Sequence, residues 1–311
     1  MAETDKKFIE EKVSEIKELA GIEKVVSALS GGVDSAAATV LAHKAVGKNL
    51  SAFFIDTGLM RQDEYENVVN SMEDYNIEIK LIDAKEEFFS ALKGISDPEE
   101  KRKAFRNTFY SVFGKILKKE KAQYLVQGTI KADVIETKAG VKTQHNVLEQ
   151  VGISPELYGL KIIEPLKELY KDEVRNVAKE LGLEKTIYER MPFPGPGLSI
   201  RVIGEVTKER INIVRRATYI VEQELKELKP FQAFAVLMND RATGLKNNER
   251  NYGNMIIIRA VESKNAMTAE PTQIPFNILQ KLGKKITNEM PEIVRVAYEI
   301  TAKPPATVEY E

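Results

Sequence analysis

The chain has no cysteine, which excludes disulfides, thiolate zinc sites and a cysteine nucleophile. Its only histidines are His43 and His145, a supply that argues against a histidine-built metal centre and against a triad relay. No sign of charge dominates: 46 lysines and arginines stand against 47 aspartates and glutamates, so no overall field favours nucleic acid or an anionic membrane. The opening MAETDKKFIEEKV has no apolar core of signal-peptide type, and no apolar run approaches a membrane span. A cytoplasmic protein is expected. Internal repeats and low-complexity tracts are also missing, and 311 residues suffice for two domains that each bury a core.

What the chain does have is SGGVDS at 30–35, directly after the apolar stretch Val25, Val26, Ala28, Leu29 and directly before a helix-like run from Ala36 to Val46. Strand, glycine turn and helix start, in that order, build a phosphate cradle. Gly31 and Gly32 reach backbone angles closed to other residues and let an anion approach the main chain. Unpaired N–H groups of the following helix then point at that anion. Ser30 and Ser35 add hydroxyl donors, and Asp34 offers a carboxylate for the magnesium that accompanies a polyphosphate. The spacing GxxxxGK[ST] is absent, so this is not a Walker A loop.

Helical and strand patterns alternate through the first part of the chain. Phe8, Ile9, Val13, Ile16 and Leu19 fall at helical spacing. Short apolar runs at 52–55, 77–82, 124–126 and 160–163 read as strands, with helix-compatible stretches at 97–120 and 171–182 between them. The expected fold is α/β, a parallel sheet covered by helices on both faces. Ligands of such sheets bind beyond the carboxyl ends of the strands. SGGVDS, Asp56 and the segment beginning at Gly128 would converge there. PFPGPGLS, 192–199, cannot continue a helix or an inner strand and reads as a rigid linker that does not exclude ligand contact. Beyond it, a helix-like stretch from Thr207 to Leu228, strand candidates Phe231–Met238 and Met255–Val261, a helix from Pro275 to Asn288 and a strand near Val294–Ile300 read as a smaller α+β domain. The domains are therefore expected at 1–190 and 191–311.

The loop resembles the pyrophosphate loop of the ATP pyrophosphatases, and further segments narrow the resemblance. FIDTGLMR (54–61), DPEEKRKAF (97–105), QGTIKADVIET (127–137), EPLKELYKDEVR (164–175), RMPFPGPGLSIR (190–201) and KPPATVEYE (303–311) fall in order. Together they are similar to the ATP pyrophosphatase subunits of GMP synthetases, of the two-subunit archaeal kind, over essentially the whole length. The resemblance implies a ligase. Xanthosine 5′-monophosphate (XMP) is adenylated at O2 by MgATP with release of pyrophosphate, and ammonia then displaces AMP to give GMP. It also implies a homodimer formed through the second domain. No glutaminase is expected within this chain, so ammonia would come from a separate glutamine amidotransferase subunit.

In that frame Ser30, Gly31, Gly32, Val33, Asp34, Ser35 and Ala36 would bind the ATP polyphosphate, with Gly128 and Thr129 near the adenosine. Asp133 and Glu136, three apart on a helical turn, would share magnesium with Asp34, although such a pair is as readily a solvated helix face. Lys142, in AGVKTQHNV, corresponds to the family's lid lysine and would stabilise the adenylation transition state. Arg61, Asn248, Lys303 and Glu309 would hold XMP. The competing reading of KPPATVEYE is a frayed, charged tail, and its deletion is expected to abolish GMP formation while leaving a folded dimer.

Three departures stand out. The family's K-S-H-H-N reads K-T-Q-H-N here, with Gln144 in place of a histidine and fewer glycines following. GDxRxY becomes NNERNY, so Asn248 replaces an aspartate associated with XMP. QGT-x-x-P-D becomes QGTIKAD, with Ala132 for proline. Two alternatives follow: another pyrophosphate-loop enzyme such as NAD synthetase, which should lack PFPGPGL and KPPATVEYE, or a catalytically impaired nucleotide-binding paralogue.

Overall fold

A computed structural model describes residues 2–138, 160–246, 249–264 and 266–311. The chain divides into two compact units, one of residues 1–56, 63–84 and 107–190, the other of 57–62, 85–106 and 191–311.

The first unit is built on five parallel strands, β1 (Val25–Leu29), β2 (Leu50–Asp56), β3 (Ile79–Asp83), β4 (Tyr124–Val126) and β5 (Lys161–Ile163), in the order β3-β2-β1-β4-β5. Its helices are α1 (Ala2–Ala20), α2 (Val33–Val46), α3 (Glu64–Glu73), α6 (Lys131–Lys138), α7 (Lys171–Glu180) and α8 (Lys185–Tyr188). The long α5 (Pro98–Glu120) contributes residues to both units. Strand β1 is central and its apolar side chains are almost wholly buried, as expected of a parallel strand covered on both faces. Helix α2 is buried nearly all round from Val33 to Ala42. Its alanines let it lie close to the sheet, and the one polar group on this face, Thr39, shares a 2.7 Å hydrogen bond with Ser27 of β1, so neither hydroxyl is buried unpaired.

From β1 the chain winds outward through β2 and β3, then returns to the other side of β1 with β4 and β5. Strand order thus reverses between β1 and β4, and that is where an open α/β sheet opens a crevice for ligand.

The second unit holds α4 (Lys85–Leu92), α9 (Lys208–Glu224), β6 (Gln232–Lys246), β7 (Glu249–Glu262), β8 (Glu270–Pro271), α10 (Phe276–Glu289) and β9 (Ile293–Tyr298). Its sheet runs β6-β7-β8, with β9 parallel to β7. Strands β6 and β7 pair from Gln232↔Val261 out to Lys246↔Glu249 around an irregularity between Leu237 and Arg241. The hairpin is longer than the apolar runs at 231–238 and 255–261, because its outer half alternates polar side chains and carries no apolar run to read. In that outer half Gly244 and Gly253 lie against Val294 of β9, where a Cβ would come within 2.7 and 2.6 Å of that side chain. The segment after PFPGPG closes into a 3₁₀ turn, Gly197–Arg201, whose five residues are all buried. It is packed core of this unit rather than exposed linker. No helix among the described residues is long and apolar enough to cross a membrane.

Candidate active site

The loop after β1 is closed by its own serine. Ser35 Oγ donates to Gly32 O at 3.0 Å, accepts from Ser30 N at 3.2 Å and lies 3.1 Å from Ser30 Oγ. Gly31 sits at φ +81°, a conformation that strains any residue with a Cβ. A Cβ there would also fall 1.9 Å from Glu64 Oε1. Arg190 explains that closeness: its guanidinium donates to Gly31 O at 3.2 Å, to Glu64 Oε1 at 2.8 Å and to Glu64 Oε2. The loop is thus braced from α3 by a bidentate pair whose carboxylate is buried. Val33 is 5% exposed, so its backbone N–H, not its side chain, is what it can offer an anion; the N–H of Ala36, the other buried residue expected at this site, is already donated to Gly32 O at 3.1 Å. Gly32 caps α2 without any side-chain bond, leaving the first-turn N–H groups directed at the loop's concavity.

The loop after β4 is pressed against the first. A Cβ on Gly128 would stand 2.7 Å from Asp34 C and Ser35 N, so this glycine packs on the backbone of the first loop itself. Thr129 is half-buried beside it. Gly128→Ala is therefore expected to force the two loops apart, at about 1–3 kcal/mol, seen as a lower thermal midpoint together with weaker titration by a non-hydrolysable ATP analogue. Unchanged nucleotide affinity would show that the two loops do not share a ligand.

Asp34 is the chemically unusual group. Its Oδ2 accepts from Lys171 Nζ at 2.5 Å, whereas its Oδ1 is buried with no partner among the described residues. Desolvation raises its pKa above the ordinary carboxylate value, Lys171 opposes that rise, and the negative charge of Asp133 adds to it. A like charge near enough to be felt, and an unsatisfied buried oxygen, are what a cation would relieve. Asp133 Oδ2 also caps its own helix, accepting from Ile130 N at 3.0 Å. Among the described residues no three acidic or histidine side chains converge on one point. Magnesium commonly needs only one or two carboxylates, since water and phosphate oxygens complete its octahedron. These hard oxygen donors fit it. Glu136 lies three residues along α6 from Asp133, its side chain outside the described residues; Lys142 and Asn248 lie outside them altogether.

Arg61, Lys303 and Glu309 belong to the second unit. Arg61 bonds Glu222 at 3.0 Å and the carbonyls of Met191 and Pro192 at 3.0 and 3.1 Å, and its guanidinium lies 4.5 Å from the Phe193 ring centroid. Arg201 lies 5.1 Å from the same ring and 4.0 Å from that of Phe234. Its side chain is 1% exposed and grips Glu309 through two bonds of 2.9 and 2.8 Å. Gln232 donates to the same carboxylate. Glu309 thus already accepts three hydrogen bonds within the protein, and Arg61 braces the start of PFPGPG.

The segment 303–311 is anchored rather than frayed. Lys303 exchanges backbone bonds of 2.7 and 3.1 Å with Ala269, and its Nζ donates to Ala266 O at 2.7 Å. Arg259 of β7, 1% exposed, donates to the carbonyls of Thr301 and Thr307 at 2.6 and 3.0 Å. Deleting 303–311 would strand Arg201 without its carboxylate in the core of this unit, so an intact fold after deletion is not expected. Single substitutions are the cleaner probe.

Local sequence reasoning missed Lys171, Arg190 and Arg201. Each lies inside a motif the sequence displays, the first in EPLKELYKDEVR and the arginines at either end of RMPFPGPGLSIR. Glu64 carries no sequence signal at all.

The family model for NAD synthase matches residues 1–195, and that for the GMP synthase C terminal domain matches 219–310. Proteins named as the B subunit of GMP synthase (glutamine-hydrolyzing) are similar over nearly the whole chain. That of Pyrococcus furiosus is 52% identical, covering 98% of this chain and 97% of its own, and that of Methanopyrus kandleri is 48% identical over 98% and 99%. The Methanocaldococcus jannaschii protein is 50% identical over the same shares, 98% and 99%. A glycine loop at the sheet's reversal point, joined in one chain to the second domain that such synthases carry, agrees with that similarity: the chain belongs to the family of GMP synthase B subunits.

Proposed function

We propose that this chain is the synthetase component of a two-subunit GMP synthase, using ATP and ammonia to convert XMP to GMP. The O2 oxygen of XMP attacks the α-phosphorus of ATP, the bond to the β,γ-pyrophosphate breaks, and adenylyl-XMP forms. Ammonia then adds at C2, loses a proton, and AMP leaves with the former O2. A purine carbonyl oxygen is a poor leaving group and adenylate is a good one, so the protein's work is to neutralise phosphate charge, align two nucleotides and exclude water from the intermediate.

The observation that carries this reading is the unpartnered buried oxygen of Asp34 at the mouth of a glycine loop, with Asp133 beside it. The N–H groups of Gly31 to Ser35 and the hydroxyls of Ser30 and Ser35 would bind the pyrophosphate, with Gly128 and Thr129 toward the adenosine. Asp34, Asp133 and Glu136 would hold Mg²⁺. Magnesium supplies positive charge to the polyphosphate. Lys171 holds the Asp34 carboxylate in place, and Lys142 would add positive charge at the transferring phosphoryl group. Lys303, Glu309 and Asn248 would contact XMP, Lys303 as a point charge for its phosphate, and Arg61 would fix the segment 191–193 that borders it. The second unit would form a homodimer, and a separate glutamine amidotransferase subunit would deliver ammonia.

The test is AMP and GMP formation by the purified chain with MgATP, XMP and ammonium, beside glutamine in place of ammonium. Product with ammonium alone is the expected result. Pyrophosphate release that does not depend on XMP would mean a different acceptor, and no turnover with either nitrogen source would favour a non-catalytic nucleotide-binding role.

A further inference from the structure

Lys101, near the start of α5, is 0% exposed. Its ammonium donates to Val202 O at 2.7 Å and to the carboxylate of Glu311, whose side chain is 7% exposed. Gly204 N–H also serves that carboxylate. Burial pushes the Lys101 pKa down and the Glu311 pKa up, while each holds the other charged. A lysine in such a place requires an acid opposite it, and none of the chemistry above uses this pair.

Its placement gives it a use. Val202 directly follows Arg201, so Lys101 ties the end of RMPFPGPGLSIR to the end of KPPATVEYE. Arg201 takes Glu309 and Lys101 takes Glu311, while Tyr310 between them bonds Glu299 instead. The carboxylates on either side of Tyr310 are thus both turned into this unit. One ion pair alone would let the segment pivot or slip. Two carboxylates gripped by two neighbouring buried cations fix its register, since a slip of one residue would set Tyr310 against an ammonium or a guanidinium.

We propose that Lys101 and Glu311 are positioning residues for XMP: their ion pair locks the register of 303–311 and so the placement of Lys303 and Glu309. This rests on the reading that the segment binds XMP, and the experiment separates the two. Glu311→Gln keeps the shape but loses the charge. It is expected to raise KM for XMP about tenfold, with kcat and KM for ATP within about twofold of wild type. Lys303→Met serves as the control for the segment itself. Lys101→Met with Glu311→Leu replaces the pair by apolar groups of similar size, a change that buried ion pairs often tolerate. This double variant therefore keeps the test alive if Glu311→Gln does not fold, and it too should show the selective rise in KM for XMP. A rise with Lys303→Met but none with Glu311→Gln or the double variant overturns the register lock. No rise with Lys303→Met overturns the reading of the segment. Parallel loss of ATP and XMP affinity in the Glu311 variants would mean that the pair merely holds the fold, and would also overturn it.

Discussion

Asp34→Asn is expected to slow XMP-dependent pyrophosphate release by about two to three orders of magnitude, the usual penalty for removing one charge-stabilising group from such a site. Asparagine fills the same space beside Ser35 and Gly128 and can still accept from Lys171. What it loses is the formal charge that makes Oδ1 a cation ligand. Fold stability should not fall with activity. Asp34's pKa is raised in the folded protein, so its protonated form favours folding below the ordinary carboxylate pKa and that contribution disappears as pH rises through the raised value. At neutral pH the charged carboxylate thus costs the folded chain more than it costs the unfolded one. The variant's thermal midpoint should therefore match or exceed wild type at pH 7, and its stability should lack this part of the decline with rising pH. Pyrophosphate release within a few fold of wild type would remove Asp34 from the phosphate site. A collapsed melting transition would mean that the carboxylate is structural.

Arg201→Met should have the largest effect on stability, about 3–5 kcal/mol. The guanidinium is wholly buried, packed on Phe193 and Phe234, and its removal leaves the Glu309 carboxylate with Gln232 as its remaining side-chain donor. Methionine restores much of the packing but none of the charge, so the loss reports the stranded carboxylate. Arg201→Met with Glu309→Met should recover most of the lost midpoint, because neither charge is then left alone. Equal instability of the single and double variants in thermal melts would show that the aromatic stacking, and not the ion pair, holds this part of the unit.

The parts of the fold legible in the sequence are those written in short stretches of chain. Apolar runs gave the parallel strands, SGGVDS announced its own strand-turn-helix setting, and the helix-compatible stretch at 97–120 corresponds to α5. The outer half of the β6–β7 hairpin was not legible, because its residues are mostly polar and exposed and so leave no apolar pattern along the chain. RMPFPGPGLSIR displayed its breaks in regular structure, but not that Leu198, Ile200 and Arg201 would be buried. Least visible were the bracing pairs. Arg190 and Glu64 are 126 residues apart, Arg201 and Glu309 are 108 apart, and Lys101 and Glu311 are 210 apart. No periodicity or motif spacing joins residues so distant; the parallel topology and the late return of the chain do.

The chain passes from one compact unit to the other after residues 56, 62, 84, 106 and 190. A gene split at codon 190 would therefore not yield a self-sufficient second half. The fragment 191–311 would lack Arg61 and Lys101, the partners of Glu222 and Glu311. During synthesis the second unit owns pieces of chain long before it can close, and waits for 191 onward to leave the ribosome. Recombination at the proline-rich boundary cannot trade its carboxyl-terminal part as a cassette, since the segments that complete it are inherited from inside the other half.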